Sequence, residues 1–148
     1  MPGIVVGVDN STHSQRALEW AISEAGIRQL PLTVVTVLQE VVYWSGRPAL
    51  YPQDYPLAAK VAEAVQEQVD ATLDKVAGPK PGPESVTVRS VPGSPSVEIL
   101  MAATDADMIV LGSRGAGGFT KLLMGSVSTQ VAHHAHCPVV IIPPEDRN

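Results

Sequence analysis

Short apolar runs recur along the chain with helix-patterned stretches between them, and this alternation constrains the fold more than any other feature. The runs are "IVVGV" at Ile4 to Val8, "LTVVTVL" at 32–38, "VTVRSV" at 86–91, "MIVLG" at 108–112 and "VVII" at 139–142. After the first run, the polar knot "DNSTHS" offers Ser11 as a helix N-cap, and Ala17, Leu18, Ala21, Ile22 and Ala25 then share one helical face. A second helix is predicted from Leu57 to about Ala77, with Val61, Ala62, Val65, Val69 and Val76 on one side and "GPKPGP" ending it. Ser94 followed by Pro95 starts a third, in which Val97, Leu100, Met101 and Thr104 fall at i, i+3, i+4 and i+7. A fourth runs from about Ser126 to Ala135. The order β-α-β-α-β-α-β-α-β implies an α/β fold, a doubly wound parallel sheet with helices on both faces. Its ligands sit beyond the carboxyl ends of the strands, where the strand order reverses. Asp9 ends the first strand and Gly112 the fourth, so both face one crevice if those strands are neighbours.

Composition agrees. Apolar residues make up 45% of the chain and aromatics 4%, so the core is mostly Val, Leu, Ile and Ala, as suits parallel strands buried on both faces. The 148 residues fit a single domain, 1–148. Strict alternation in 86–91 predicts a half-exposed edge strand. Residues 43–56, "YWSGRPALYPQDYP", hold three prolines and a glycine and are expected to form no regular element; the readings open for them are a lid, a partner surface or a disordered insert, with the four aromatics arguing against plain disorder. A net charge of −5 without a basic face argues against nucleic acid and against non-specific membrane attachment. No apolar stretch reaches the roughly 18 residues a membrane span needs, and "MPGIVVGVDNS" lacks the basic and apolar regions of a secretory leader. The single cysteine, Cys137, excludes an internal disulfide framework, and a cytoplasmic location is expected.

The chemistry lies in "GSRGAGGFTKLLMGSVS", residues 112–128. A Walker A loop is absent, because Lys121 follows Thr120 and precedes Leu122. The dinucleotide fingerprint fails as well, since Arg114 and Thr120 occupy positions where it needs glycine. The spacing present is Gly112, two residues, Gly115, nine residues, Gly125, then Ser126. Gly112 and Gly115 turn the chain off a strand and let the backbone approach a ligand. Gly125 and Ser126 open a helix whose first amides and positive dipole end favour a phosphate. Ser126 adds a hydroxyl, Val127 and Ser128 add amides, and Arg114 and Lys121 are the nearby cations. Taken singly, each glycine also reads as a turn or cap residue and Ser126 as a plain N-cap; gathered in one strand-to-helix connection, they point to an anion site.

This spacing resembles the nucleotide-binding signature of the universal stress protein family, in its ATP-binding branch. The resemblance extends over nearly the whole chain, from "IVVGVDNSTHSQRALEWA" to "HCPVVII". It implies the Rossmann-like, adenine nucleotide alpha hydrolase-like fold with strand order 3-2-1-4-5, and a nucleotide-dependent stress-response regulator binding ATP, with Mg²⁺ near Asp9. By the family's pattern Asp9 meets the ribose or a phosphate-bound metal and Val37 meets the adenine through its backbone, while Gly112, Arg114, Gly115, Gly125, Ser126, Val127 and Ser128 hold the rest of the nucleotide. Helix capping is the competing role for Asp9. The strand Val139 to Ile142 matches the segment through which family members pair, so a homodimer is expected. The resemblance also permits a slow ATP hydrolase or phosphotransferase, a cyclic-AMP binder, or a nucleotide-independent dimeric scaffold.

Two other chemistries find little support. His133 and Cys137 in "HHAHC" are four residues apart, but the only other histidine away from this cluster is His13, too few for a four-ligand zinc site. There is no G-x-S-x-G elbow, and no serine or cysteine stands beside an evident base, so no catalytic residue is assigned.

Overall fold

β1 (Ile4–Val8) is buried along its whole length, as a central parallel strand covered on both faces should be. It belongs to a computed structural model that describes residues 3–9, 11–38, 43–44, 47–48, 55–76, 78, 81–113 and 125–143. The further elements are α1 (Thr12–Arg28), β2 (Pro31–Leu38), β3 (Tyr43–Trp44), β4 (Arg47–Pro48), α2 (Tyr55–Val76), β5 (Ser85–Pro92), α3 (Pro95–Ala102), β6 (Met108–Gly112), α4 (Ser126–His134) and β7 (Val139–Ile142). The main sheet runs β5-β2-β1-β6-β7, all parallel. Counting only its own strands in chain order, that is 3-2-1-4-5, the doubly wound order the resemblance implies. The order reverses between β1 and β6, which lie side by side with Val6 opposite Val110.

One face carries α1 and α2 over Ile4, Val6, Val8, Val34 and Val110, and the other carries α3 and α4 over Val5, Val35, Ile109 and Leu111. The helical stripe of α1 is buried as its spacing predicts. A polar seam fixes α2 to α1: Gln68 Nε2 donates to Gln15 Oε1 at 2.7 Å, Gln15 Nε2 donates to Thr72 Oγ1 at 3.1 Å, and Lys75 pairs with Glu19. The Lys75 ammonium holds the Glu19 carboxyl below its ordinary range, against the opposing effect of burial.

Three sequence expectations are corrected. Residues 43–56 contain a short antiparallel pair, β3 with β4, and α2 already begins at Tyr55. Pro56 lies in the first turn of α2, where a proline loses no helical hydrogen bond, so it starts this helix rather than blocking it. On α3 and its C-cap, Ile99 and Ala103 are buried against the sheet and Leu100 packs beside them, whereas Val97 and Met101 are 50% and 64% exposed. Of the residues in the i, i+3, i+4, i+7 spacing only Leu100 meets that core, because nearly every α3 position is apolar and the period alone does not choose the face.

Gly26 gives a test of the packing at the end of α1. Alanine in place of a helical glycine normally gains about 1 kcal/mol. Here a Cβ would lie 2.6 Å from the Pro81 carbonyl oxygen, a backbone atom that has little room to yield. Gly26→Ala is therefore expected to lower stability by about 1–3 kcal/mol, read by thermal denaturation; a gain would show that the 81–82 segment moves freely.

Candidate functional site

Continuing the β1–β6 register beyond Val6 and Val110 sets Val8 level with Gly112 and Asp9 level with Ser113. The two strand ends at which the sheet order reverses therefore release their chains side by side, as the sequence requires for Asp9 and Gly112 to face one crevice. Asp9 is exposed there and locally anchored. Its Oδ1 accepts from the Ser11 amide at 3.0 Å and from the Ser11 hydroxyl at 2.5 Å. Its own amide donates to Ser14 Oγ at 3.2 Å, which turns the chain out of β1 into α1. Ser11 is the N-cap of α1, accepting from the Ser14 amide. Asp9 thus braces the turn before the helix while Ser11 does the capping, and its carboxylate is held at the crevice rim by short bonds.

Val37 lies one residue past Thr36, the last β2 residue in register with β1. The Leu38 carbonyl accepts from the Gly93 amide at 3.0 Å on the β5 side. Backbone groups alternate sides along a strand, so the Val37 carbonyl points the other way, toward the space beyond the end of β1. Its identity as valine carries no signal; its place at the strand end does.

Across the crevice, Gly125 is the N-cap of α4 in extended geometry (φ −66°, ψ 161°). That makes Ser126 the first helical residue rather than the cap. The first helical hydrogen bond is donated by Thr129 to the Gly125 carbonyl at 3.0 Å. The amides of Ser126, Val127 and Ser128 are therefore the first-turn donors that an α-helix leaves without a helical acceptor. Ser126 is exposed and Val127 half-buried. Ser128 is 2% exposed, and its hydroxyl turns inward to the carbonyls of Ser113 (3.1 Å) and Gly125 (3.0 Å). Only its amide is thus left on offer at the helix N-terminus. Sequence reasoning missed the inward role of this serine, and also Ser14, whose buried hydroxyl shapes the Asp9 turn. Two serines placed one turn inside two helices are the only signal either leaves in the sequence. Arg114, Gly115 and Lys121 lie outside the described residues.

Around Cys137, burial foremost and the nearby Asp107 carboxylate second push the thiol above its ordinary range, away from the thiolate that a metal would need. His133 and His134 meet edge to face at 4.8 Å in the last turn of α4, where imidazoles complement the helix dipole. Among the described residues no three His, Cys, Asp or Glu side chains converge on a common point, and no helix is long and apolar enough to cross a membrane.

Fold and crevice together define a doubly wound α/β protein whose candidate ligand end holds the carboxyl ends of β1, β2 and β6 and the N-terminus of α4. A family model described as the universal stress protein family matches residues 2–143, and the chain belongs to that family. A universal stress protein of Mycobacterium tuberculosis is 36% identical over 97% of this chain and 48% of its own length. One of Mycolicibacterium smegmatis is 32% identical over 98% of the chain and 49% of its own length. The chain thus spans about half the length of these relatives. Among solved structures, universal stress protein UspA from Lactobacillus plantarum superposes with a TM-score of 0.73 at 25% identity, covering 94% of this chain and 95% of that one. The universal stress protein from Archaeoglobus fulgidus in complex with dAMP gives 0.65 at 25% identity, covering 96% and 98%.

Proposed function

We propose that the chain is an ATP-binding regulator, holding the phosphates at the N-terminus of α4 and the adenine beside Val37. The observation that carries this reading is the set of first-turn amides at Ser126, Val127 and Ser128, opening beside the strand ends at which the sheet order reverses. Their donors, with the exposed Ser126 hydroxyl, suit an anion, and the half-buried Val37 end of β2 suits a flat base. The dAMP complex of the Archaeoglobus relative supports an adenine nucleotide as the class of ligand. Gly112, Arg114 and Gly115 are assigned to the same cradle by the glycine spacing. A Mg²⁺ bound with the triphosphate would sit against Asp9, the carboxylate at the crevice rim, and would neutralise phosphate charge there.

Asp9→Asn separates the metal role of this residue from its structural one. Asparagine keeps an Oδ1 acceptor for Ser11 and replaces the second carboxylate oxygen with a neutral amide group. ATP affinity measured in EDTA should hold or rise, because a carboxylate that repels the phosphates is removed, while affinity in excess Mg²⁺ should fall about tenfold, or 1.4 kcal/mol. Equal losses in both buffers would remove Mg²⁺ from the reading. Competition between ATP and cyclic AMP in the same titration separates the two ligands, with ATP expected to displace cyclic AMP.

A homodimer through β7 completes the proposal. The Ile109 amide donates to the Pro138 carbonyl and the Ser113 amide to the Ile142 carbonyl, both at 2.9 Å. By alternation, the backbone groups of Val139 and Ile141 face away from β6, at the open edge of the sheet. An unpaired apolar edge strand invites pairing. Two copies related by a two-fold axis satisfy all four groups when Val139 of one protomer lies opposite Ile141 of its partner.

A further inference from the structure

We propose that the Ser128 hydroxyl is a positioning element for the phosphate end of the site, closing the base of the glycine-rich connection so that the α4 amides converge. This assignment rests on the nucleotide reading above and adds a residue whose side chain never touches the ligand. Ser128 is buried, and its one hydroxyl proton has two acceptors within reach, the carbonyls of Ser113 and Gly125. The contact with Gly125 is a local bond of the kind serines make in any helix. The contact with Ser113 spans 15 positions of the chain and joins the last residue before the connection to the first turn of the helix after it. The Gly125 amide donates to the same Ser113 carbonyl, and the Ser113 amide donates to Ile142. Strand β6, strand β7 and the N-cap of α4 are thereby tied at one residue, Ser113. Gly125 has no side chain with which to hold the start of the helix, so the Ser128 hydroxyl fixes it by donating to carbonyls, which leaves the first-turn amides unoccupied. Without it, α4 keeps its helical hydrogen bonds, but only the Gly125 amide still ties its first turn to Ser113, and the orientation of that turn relative to β6 is held less firmly. A triphosphate reads that orientation through several amides at once, whereas a nucleoside, with no phosphate, does not read it.

The test uses the full chain and three variants. Ser128→Ala removes the hydroxyl; Ser128→Thr and Ser128→Val add nearly the same bulk and differ chiefly in whether the hydroxyl remains. Dissociation constants are measured for ATP by calorimetry and for adenosine by competition, together with exchange of the Gly125 amide proton in the ligand-free protein. In Ser128→Ala, ATP affinity is expected to fall about tenfold, adenosine affinity to stay within a factor of about two, and Gly125 exchange to quicken. The threonine variant should bind ATP more tightly than the valine variant, which keeps the test decisive if the added bulk costs stability. Wild-type ATP affinity in Ser128→Ala, or equal losses for ATP and adenosine, would overturn the assignment while leaving the nucleotide reading intact. A wild-type chain that binds neither ligand would overturn both.

Discussion

Replacing Gly125 by aspartate is expected to lower ATP affinity on the order of a hundredfold while the melting temperature of the free protein stays level or rises. The two effects have opposite causes at one atom. Gly125 sits at φ −66° and ψ 161°, a conformation open to every L-residue. Aspartate is among the best N-cap residues, and a carboxylate at a helix N-terminus is favoured by the dipole. For the helix alone, the substitution is an improvement. For a phosphate seated on the same amides it places a negative charge within a few ångströms, a repulsion of about 4 kcal/mol at 4 Å in a partly screened setting. Solvent and Mg²⁺ reduce that figure, hence the more modest hundredfold. Calorimetric melting and ATP titration on the same preparation check the prediction. A variant that melts like the wild type and binds ATP equally well would show that the anion lies elsewhere.

The second large effect concerns the edge of the sheet. Ile141→Pro is expected to convert the proposed β7 dimer to monomer at micromolar concentration, because proline removes one of the outward donors that the proposed two-fold pairing would use. The β6–β7 ladder does not use that amide, since the groups facing β6 belong to Pro138, Val140 and Ile142 by alternation from the Ile109 and Ser113 bonds. Edge strands tolerate proline on the solvent side. Val140→Pro makes the complementary control: it deletes an inward donor and should destabilise the fold by about 3 kcal/mol or more. Sedimentation velocity reads the first variant and thermal melting the second. If Ile141→Pro remains dimeric, the pairing uses another surface.

Much of this architecture was legible in the residues themselves. β1, β2 and β6 are continuous apolar runs because helices cover both of their faces, whereas β5 alternates because it lies at the sheet edge, where its burial alternates too. Periodicity served less well on α3. There Ile99, Leu100, Met101 and Ala102 follow one another, so hydrophobicity alone does not select the side that meets the sheet. Composition misjudged residues 43–56 by weighing their prolines as breakers without regard to position: Pro56 lies in a first helical turn and Pro48 in an isolated two-residue strand. The glycine spacing located the α4 N-terminus to within one residue, shifting the cap from Ser126 to Gly125. Two contributions left no readable trace. The role proposed for Val37 depends on where the β1–β2 register stops, one residue before it. The Ser128 hydroxyl depends on a partner 15 positions away, a relation that only the folded chain brings about.

The most direct test of the central claim is calorimetric titration of the purified wild-type chain with ATP and Mg²⁺, read beside its melting temperature. One saturable site per chain is expected, with a stabilisation of about 2.7 kcal/mol once free ATP reaches a hundred times Kd. No heat and no shift at millimolar ATP, from protein that releases no adenine nucleotide on denaturation, would contradict the account.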